Sequence, residues 1–367
     1  MKRVLILANA VGGLYYFRYE LIKEMINKGY QIYFAVPDEI EDDRTKKLID
    51  LNAKYIKVEL SRRGMNPIED VRMLLEYTKI IKKVKPDVIL TYTIKPNVYG
   101  GIASRITGVP QIANITGLGT AVENKGILQK ITLLLYKSGL KKSKFIFFQN
   151  KENMIFMQSN DIGSENGKLI PGSGVNLSHY ELMDYPESND INFLFISRIM
   201  KQKGIDQYLD TAKHIKKKHP NTVFHVLGNC EDSYRGILEE MHEKNIIQYH
   251  GRQDDVRVFH KISHCTIHPT YYPEGMSNVL LESAACGRPV ITTNRSGCAE
   301  IVDDGINGFV VEQQNSKDLI EKVERFLKLD YETKKQMGLA GRKKVEREFD
   351  RQIVVDAYLN EIQTITI

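Results

Sequence analysis

Two glutamates eight residues apart, Glu274 and Glu282, flank a short turn, Gly275-Met276-Ser277-Asn278. Pro273 and Gly275 break regular structure, so Glu274 stands on a loop. Ser277 or Asn278 can cap the helix that follows. Val279, Leu280, Ala284 and Cys286 suit its buried side, and Gly287 can end it. A helix start offers unpaired N–H groups and partial positive charge, which suit phosphate. Carboxylates beside it suit hydroxyls. A nucleotide sugar carries both groups. The plainer alternative is a solvated loop glutamate and a solvated helix glutamate. It is weaker for Glu282, which lies inside Leu280-Leu281-Glu282-Ser283-Ala284-Ala285; a capping box would put an acid or Gln three places after Ser277, where Leu280 stands.

Cations are spaced to meet such a ligand. Arg198 and Lys203 bracket the loop Ser197-Arg198-Ile199-Met200-Lys201-Gln202-Lys203-Gly204, directly after an apolar run. Two cations at the end of a strand can hold a diphosphate, and an arginine can do so bidentately. Lys201 reads as an ordinary surface lysine. Gly12 and Gly13 follow the first apolar run and open an amphipathic one, so a ligand can approach the backbone there. They do not form the G-x-G-x-x-G dinucleotide pattern, so as a dinucleotide site they are weak, and they read as a tight turn. Asn114-Ile115-Thr116-Gly117-Leu118-Gly119 is another glycine-rich loop after an apolar run. Thr116 either touches a reacting sugar or sits in a simple turn.

The elements that must position these residues alternate between strand and helix. Strands are predicted over 2–9, 31–36, 54–60, 87–91, 110–115 and 145–149, with helices over 14–27, 68–84 and 97–107. After Pro171-Gly172-Ser173-Gly174 and a polar stretch, a second series starts. Its strands are 191–197, 222–227, 246–250, 265–268 and 289–293, with helices over 205–218 and 233–244 and two long helices at the end, 332–349 and 351–362. This repeat implies parallel sheets covered on both faces, an α/β chain of two doubly wound Rossmann-like domains. The domains are predicted as 1–172, completed by a C-terminal helix over 350–367, and 173–349. Ligands of open parallel sheets bind at the carboxyl ends of the strands, and two such domains facing each other make a cleft.

At 367 residues and 42% hydrophobic content the chain can build two cores. Charge is uneven. Residues 1–172 hold 27 Lys+Arg and 17 Asp+Glu, net +10; the remainder holds 52 − 27 = 25 and 46 − 17 = 29, net −4, which together give +6. A basic first half points to an anionic partner: membrane lipid, a phosphorylated acceptor or nucleic acid. Nucleic acid is disfavoured, because aromatic platforms are not interleaved with the basic residues and an acidic second half is unexplained. From Lys125 to Lys151 there are seven lysines and no acid, interleaved with Ile127, Leu128, Ile131, Leu133, Leu134, Leu135, Tyr136 and Leu140. Such a segment lies on an anionic membrane surface, or covers a sheet with a lysine-rich outer face. Arg62-Arg63 adds to the basic surface.

The four cysteines, Cys230, Cys265, Cys286 and Cys298, form no C-x-x-C pair and fit a reducing compartment. No apolar run reaches the length of a membrane-spanning helix, and the first run is too short for a signal peptide. His264 and His268 alternate as on a strand and lack the acids and histidines of a zinc site; no tightly held metal and no other cofactor are expected.

Taken together, Arg198-x4-Lys203, Gly251, the run Tyr272-Pro273-Glu274-Gly275-Met276-Ser277-Asn278-x3-Glu282-Ser283-x-Ala285-Cys286-Gly287-Arg288-Pro289-Val290, and Glu300-Ile301-Val302-x2-Gly305-x-Asn307-Gly308 resemble the retaining glycosyltransferases of the GT-B fold, family four. The resemblance covers essentially the whole chain, and Gly12-Gly13 with Thr116-Gly117-Leu118-Gly119 looks most like enzymes building capsule, O-antigen or lipid-linked glycans. It implies transfer of a sugar from a nucleoside diphosphate, a UDP-hexose or UDP-N-acetylhexosamine, to an acceptor hydroxyl with retention and without metal. Under that implication Arg198 and Lys203 neutralise the leaving diphosphate, Glu274 binds sugar hydroxyls, and Glu282 binds the ribose. Gly251-Arg252 lies by the base, Gly275, Met276, Ser277 and Asn278 present backbone N–H groups, and Gly12 and Gly13 reach the donor phosphate. Thr116 stands where many members have a histidine, so it is a contact and not a base; the leaving phosphate can take the acceptor proton.

The expected function is therefore extension of a polyprenyl-diphosphate-linked glycan at the cytoplasmic, inner face of a plasma membrane. Transfer to a soluble acceptor and nucleotide-sugar epimerisation on the same fold are the alternatives. An epimerase would consume donor with no acceptor-linked product.

Overall fold

In the computed structural model, residues 1–59, 66–123 and 125–366 are described. The Arg62-Arg63 pair falls outside them. The chain divides into two compact units, Met1–Gly174 with Arg351–Ile367, and Val175–Asp350.

The first unit holds a seven-stranded, all-parallel sheet: β1 (Arg3–Leu7), β2 (Gln31–Val36), β3 (Lys54–Lys57), β4 (Val88–Tyr92), β5 (Gln111–Ile115), β6 (Phe145–Phe148) and β7 (Gly167–Leu169). Their order is β3-β2-β1-β4-β5-β6-β7. Strands β4 and β5 are buried along their whole length, because helices cover both faces of a parallel sheet. That is why they read as unbroken apolar runs. The register pairs Leu7 with Thr91, which sets the carboxyl ends of β1 and β4 side by side.

The helix Arg351–Thr366 belongs to this unit, although 176 residues separate it from Gly174. Val354, Val355, Tyr358, Leu359 and Ile362 enter the same core as β1 and β2. Tyr358 packs edge-on against Phe147 at 4.6 Å and its hydroxyl accepts from Asn114 Nδ2 at 2.6 Å. Arg351 at the helix start donates to Glu20 at 2.8 Å and to the Gly174 carbonyl at 3.1 Å.

The second unit repeats the plan with six parallel strands: β8 (Ile191–Ile196), β9 (Thr222–Leu227), β10 (Gln248–Tyr249), β11 (Cys265–His268), β12 (Val290–Thr293) and β13 (Gly308–Val311). The order is β10-β9-β8-β11-β12-β13. In both sheets the strand order reverses once, between β1 and β4 and between β8 and β11. These are the topological switch points at which doubly wound sheets take their ligands.

Strands β7 and β13 are edge strands of three and four residues that sequence patterning does not predict. The segment from Lys125 to Lys151 is not one helix: it holds the helix Ile127–Leu140, strand β6 and the first residue of the helix Lys151–Gln158. Among the described residues, no helix is long and apolar enough to cross a membrane.

Candidate active site

The loops after β8 and β11, neighbours at the second switch point, are stitched together. Buried Phe193, Leu194 and Phe195 anchor β8, and the chain emerges at Arg198, whose side chain is exposed. A short 3-10 turn, Lys201–Lys203, follows, and Gly204 turns the chain into the helix Ile205–Lys218. Gly204 has φ 78°, and a Cβ there would run into the Pro269 carbonyl just after β11. Only glycine lets the two loops close to that distance. Tyr271 N–H donates to the Gln202 carbonyl at 3.0 Å, and the Thr270 hydroxyl reaches the same oxygen at 3.4 Å.

This stitching brings Lys203 and Glu274 together across 71 residues. Lys203 Nζ forms an ion pair with Glu274 Oε1, with side chains 11% and 16% exposed. Tyr272 meets both cations: its ring centre is 4.8 Å from Lys203 Nζ and 5.6 Å from Arg198 Cζ. Cation–π attraction to one ring holds the two positive groups at a common site, which their mutual repulsion would otherwise disfavour. His268, buried at the end of β11, is pushed down to about 3 by burial and secondarily by the Lys203 charge. It is neutral and forms part of the wall.

The helix Asn278–Ala285 starts beside Glu274. Ser277 is its N-cap residue, but its side chain makes no capping hydrogen bond; its N–H donates to the Gly297 carbonyl at 2.7 Å. So the predicted side-chain cap is corrected, and one of the N–H groups expected to meet a ligand is already used. Met276 turns its side chain into the core with Leu280 and Ala284, which leaves only its backbone for a ligand. Asn278 keeps a buried Oδ1 without a partner among the described residues. Glu282 is half-buried one turn further on, and Ser283 bonds Thr266 of β11 at 2.6 Å, fixing the helix to the sheet.

A residue that chemistry-first reading passes over holds this arrangement. The Glu300 carboxylate accepts from Ser296 Oγ at 2.8 Å and from Gly297 N–H at 2.7 Å. Gly297, at φ 87°, lies flat against the Glu274 loop: a Cβ there would stand 2.7 Å from the Gly275 carbonyl. Glu300 thus fixes a turn whose backbone supports both Gly275 and Ser277. Its signal in the sequence was its place in the Glu300-Ile301-Val302 motif, which carries no chemistry of its own.

Gly251 and Arg252 follow β10, on the same carboxyl edge. The Gly251 carbonyl accepts from Gly228 N–H at 2.8 Å, and Arg252 is exposed, 3.7 Å from Asp254. Both follow a strand two places from β8 in the sheet.

In the first unit, Gly12 and Gly13 are not a turn. They occupy the first turn of the helix Val11–Asn27, and Val11 N–H donates to Asp38 Oδ2 at 2.8 Å. A carboxylate already sits at this helix start, the arrangement its dipole favours. Thr116 is half-buried directly after β5 in a turn where Gly117 has φ 135° and Gly119 φ 68°. Next to β1, Thr93 follows β4 with φ 72°, a left-handed conformation costly for a β-branched residue, and its buried hydroxyl has no partner among the described residues. Strain of this kind collects at functional positions. Nothing in the run Thr91-Tyr92-Thr93 announces it.

His264, like His268, is a buried strand residue and accepts from Asn192 N–H at 3.1 Å through Nδ1. Among the described residues, no group of three His, Cys, Asp or Glu side chains is arranged to hold a metal ion. Cys265, Cys286 and Cys298 are buried free thiols, and burial raises all three above the usual thiol range.

Comparison with known proteins follows the two halves. Residues 3–150 match the glycosyl transferase 4-like family and residues 185–344 the glycosyl transferases group 1 family. The chain is 26% identical, over 97% of both sequences, to N,N'-diacetylbacillosaminyl-diphospho-undecaprenol alpha-1,3-N-acetylgalactosaminyltransferase of Campylobacter jejuni. It is 25% identical, over 72% of both, to UDP-Gal:alpha-D-GlcNAc-diphosphoundecaprenol alpha-1,3-galactosyltransferase of Escherichia coli. The crystal structure of Anabaena Alr3699/HepE in complex with UDP superposes with a TM-score of 0.80 at 16% identity, covering 99% of this chain and 100% of that one, and has the same fold.

Proposed function

The chain is a GT-B glycosyltransferase, a 4-like half followed by a group 1 half, and from that premise we propose that it moves a sugar from a UDP-linked donor to a polyprenyl-diphosphate-linked glycan, with retention and without a metal. The observation that carries this reading is the Lys203–Glu274 pair, with Arg198 and Lys203 both against the Tyr272 ring.

A departing nucleoside diphosphate accumulates negative charge. Arg198 and Lys203 lie where such a group would meet two cations in one place, the electrostatic help a divalent metal gives elsewhere. Glu274 then has two roles. It holds Lys203 at the ligand edge, and its carboxylate binds hydroxyls of the donor sugar as positive charge develops at the anomeric carbon. Glu282 and the backbone of Gly275, Met276 and Asn278 hold the ribose and phosphates; Gly251 and Arg252 lie nearest the base. No side chain here needs to act as general base, because a leaving phosphate oxygen can accept the acceptor's proton. In the first unit, the carboxyl ends of β1 and β5, with Thr116, are the acceptor side.

The acceptor class is supported by the relatives whose names specify undecaprenyl-diphosphate-linked glycans, and the UDP donor by the E. coli relative's name and the Anabaena complex. The work site is the cytoplasmic face of a membrane, approached from its surface through the lysine-rich segment between Lys125 and Lys151.

Thermal unfolding with a panel of UDP- and GDP-sugars tests the donor half of the proposal. One UDP-hexose or UDP-N-acetylhexosamine should raise Tm, and the rise should shrink in Glu282→Ala. A panel in which GDP-sugars alone stabilise the protein would overturn the donor assignment.

A further inference from the structure

Just below the carboxyl edge of the first sheet, polar side chains are paired. The Thr91 hydroxyl donates to Asn97 Oδ1 at 2.7 Å, Asn97 Nδ2 donates to the Asn114 carbonyl at 2.9 Å, and Gln111 Nε2 donates to Thr91 Oγ1 at 2.8 Å. These buried bonds tie β4, the segment after it and β5 together.

At the edge itself the pattern changes. Leu7 of β1 pairs with Thr91 of β4, and Asn9 and Thr93 each stand two residues beyond that pair. Asn9 Oδ1 and Thr93 Oγ1 are buried and have no hydrogen-bond partner among the described residues. Thr93 holds φ 72°, and a turn of π-helix, Pro96–Gly100, follows shortly after. Left-handed β-branched residues and π-turns both concentrate at functional positions.

Lys95, between Thr93 and the π-turn, is a third uncommitted group. Its ammonium lies 3.1 Å from Asp70 Oδ1, in the first turn of the helix Pro67–Val84, with side chains 12% and 13% exposed. Neither atom makes a hydrogen bond among the described residues, so the contact is an ion pair that leaves the N–H donors of Lys95 unused. Burial, and secondarily the Asp70 carboxylate, hold the Tyr99 phenol well above its usual range, so it stays protonated beside Asp70. A nearly buried ammonium without hydrogen bonds is costly unless a ligand completes it. Asp70 supplies its counter-charge, as Glu274 does for Lys203.

An ammonium, a hydroxyl and an amide carbonyl at one strand edge suit a ligand with an anionic oxygen and, close to it, an O–H or N–H donor. A sugar carried on a diphosphate has both. We propose that Lys95, Thr93 and Asn9 bind the sugar-diphosphate end of the acceptor, and that Lys95 sets the preference for a diphosphate-linked acceptor over a neutral glycoside. The inference rests on the lipid-linked acceptor reading and deepens it by naming the residues. Lys95 and the Thr93 hydroxyl donate to diphosphate oxygens. Asn9 Oδ1 accepts from a hydroxyl or acetamido N–H of the acceptor sugar.

The test uses two water-soluble acceptors with the same sugar, one on a short-chain prenyl diphosphate and one as a neutral alkyl glycoside. The ratio of their kcat/KM values is the diphosphate preference. Lys95→Gln should lower it about 10–100-fold, through KM of the diphosphate acceptor. That variant leaves Asp70 without its counter-charge. Lys95→Gln with Asp70→Asn removes both charges at nearly constant shape, and should show the same loss with Tm near wild type. Thr93→Val keeps the branch and deletes the unpaired hydroxyl; it should raise the same KM several-fold with Tm unchanged or higher. Lys79→Gln, at an exposed position further along the helix Pro67–Val84, is the control and should keep the wild-type preference.

Wild-type preference in the double variant overturns the role of Lys95 and leaves the acceptor reading standing. A loss that falls on the donor's KM overturns the assignment to the acceptor. A wild-type enzyme that uses both acceptors equally well overturns the acceptor reading, and the inference with it.

Discussion

Replacing Lys203 and Glu274 singly and together separates catalysis from stability at the site. Each side chain is nearly buried, at 11% and 16% exposure, and each is the other's ion-pair partner. Lys203→Ala leaves Glu274 with its charge and less to balance it. Stranding one member of a fully buried pair costs about 3–5 kcal/mol. Partial solvent access here brings the expectation down to about 2 kcal/mol. For a unit of this size that lowers Tm by about 4–8 °C. The double variant removes both charges, so its loss should be smaller than the sum of the two singles. Turnover responds differently. Removing one preorganised charge from a developing anion costs roughly 10²–10³ in kcat, and both singles should show it. The double should be no more stable in activity than either. Steady-state transfer rates and thermal unfolding of the four proteins give the two readouts. Wild-type kcat in Lys203→Ala refutes the role assigned to the cation. Strict additivity of the Tm losses refutes the pairing.

Further expectations follow from the supports of the site. Glu300→Ala releases the Ser296–Gly297 turn under Gly275 and should cut kcat about 10–100-fold with an unfolding temperature near wild type, while Glu300→Gln, which can still accept from Gly297 N–H, should recover most of it; equal rates in all three proteins would remove Glu300 from the account. Acid should weaken the second unit. His260 and His268 are fully buried and pushed down to about 3, chiefly by burial, so the folded form rejects the proton that the unfolded chain takes up near pH 6.5. Stability is then complete above about pH 6.5 and falls as pH drops toward the folded values, by about 2 kcal/mol per histidine between pH 7 and pH 5. Urea unfolding at the two pH values measures it, and unchanged or greater stability at pH 5 contradicts the sign.

Most of the architecture was legible because parallel strands buried on both faces leave unbroken apolar runs. β4, with Val88-Ile89-Leu90, and β8, with Phe193-Leu194-Phe195, are visible on sight. Edge strands are not: β7 is only Gly167–Leu169, half exposed, and no pattern of three residues distinguishes it from a loop. The Lys203–Glu274 partnership was readable only as two candidates of one site, since their contact depends on loops joined through Gly204 and Pro269. Gly12 and Gly13 were misleading: glycine pairs usually mark turns, but packing of Val11 and Leu14 into the core and the Asp38 carboxylate at the helix start carry the helix through them. The outward aliphatics of Ile127–Leu140 were hidden for another reason. Periodicity shows that a helix has two faces, but not which of them meets the core, and here Thr132, Tyr136, Gly139 and Leu140 take the inner side while Ile127, Leu128, Ile131 and Leu134 stay exposed.

The central claim is a transfer that keeps anomeric configuration, made on a lipid-linked acceptor without a metal. It is met most directly by incubating the protein, in EDTA, with the donor that raises its Tm and an undecaprenyl-diphosphate-linked sugar in phosphatidylglycerol vesicles, and determining the new linkage by NMR. The account predicts an α-linked product from the α-configured UDP-sugar, at a rate EDTA does not change. A β-linked product, a rate abolished by EDTA and restored by a divalent cation, or donor converted to its epimer with no sugar on the lipid would contradict it.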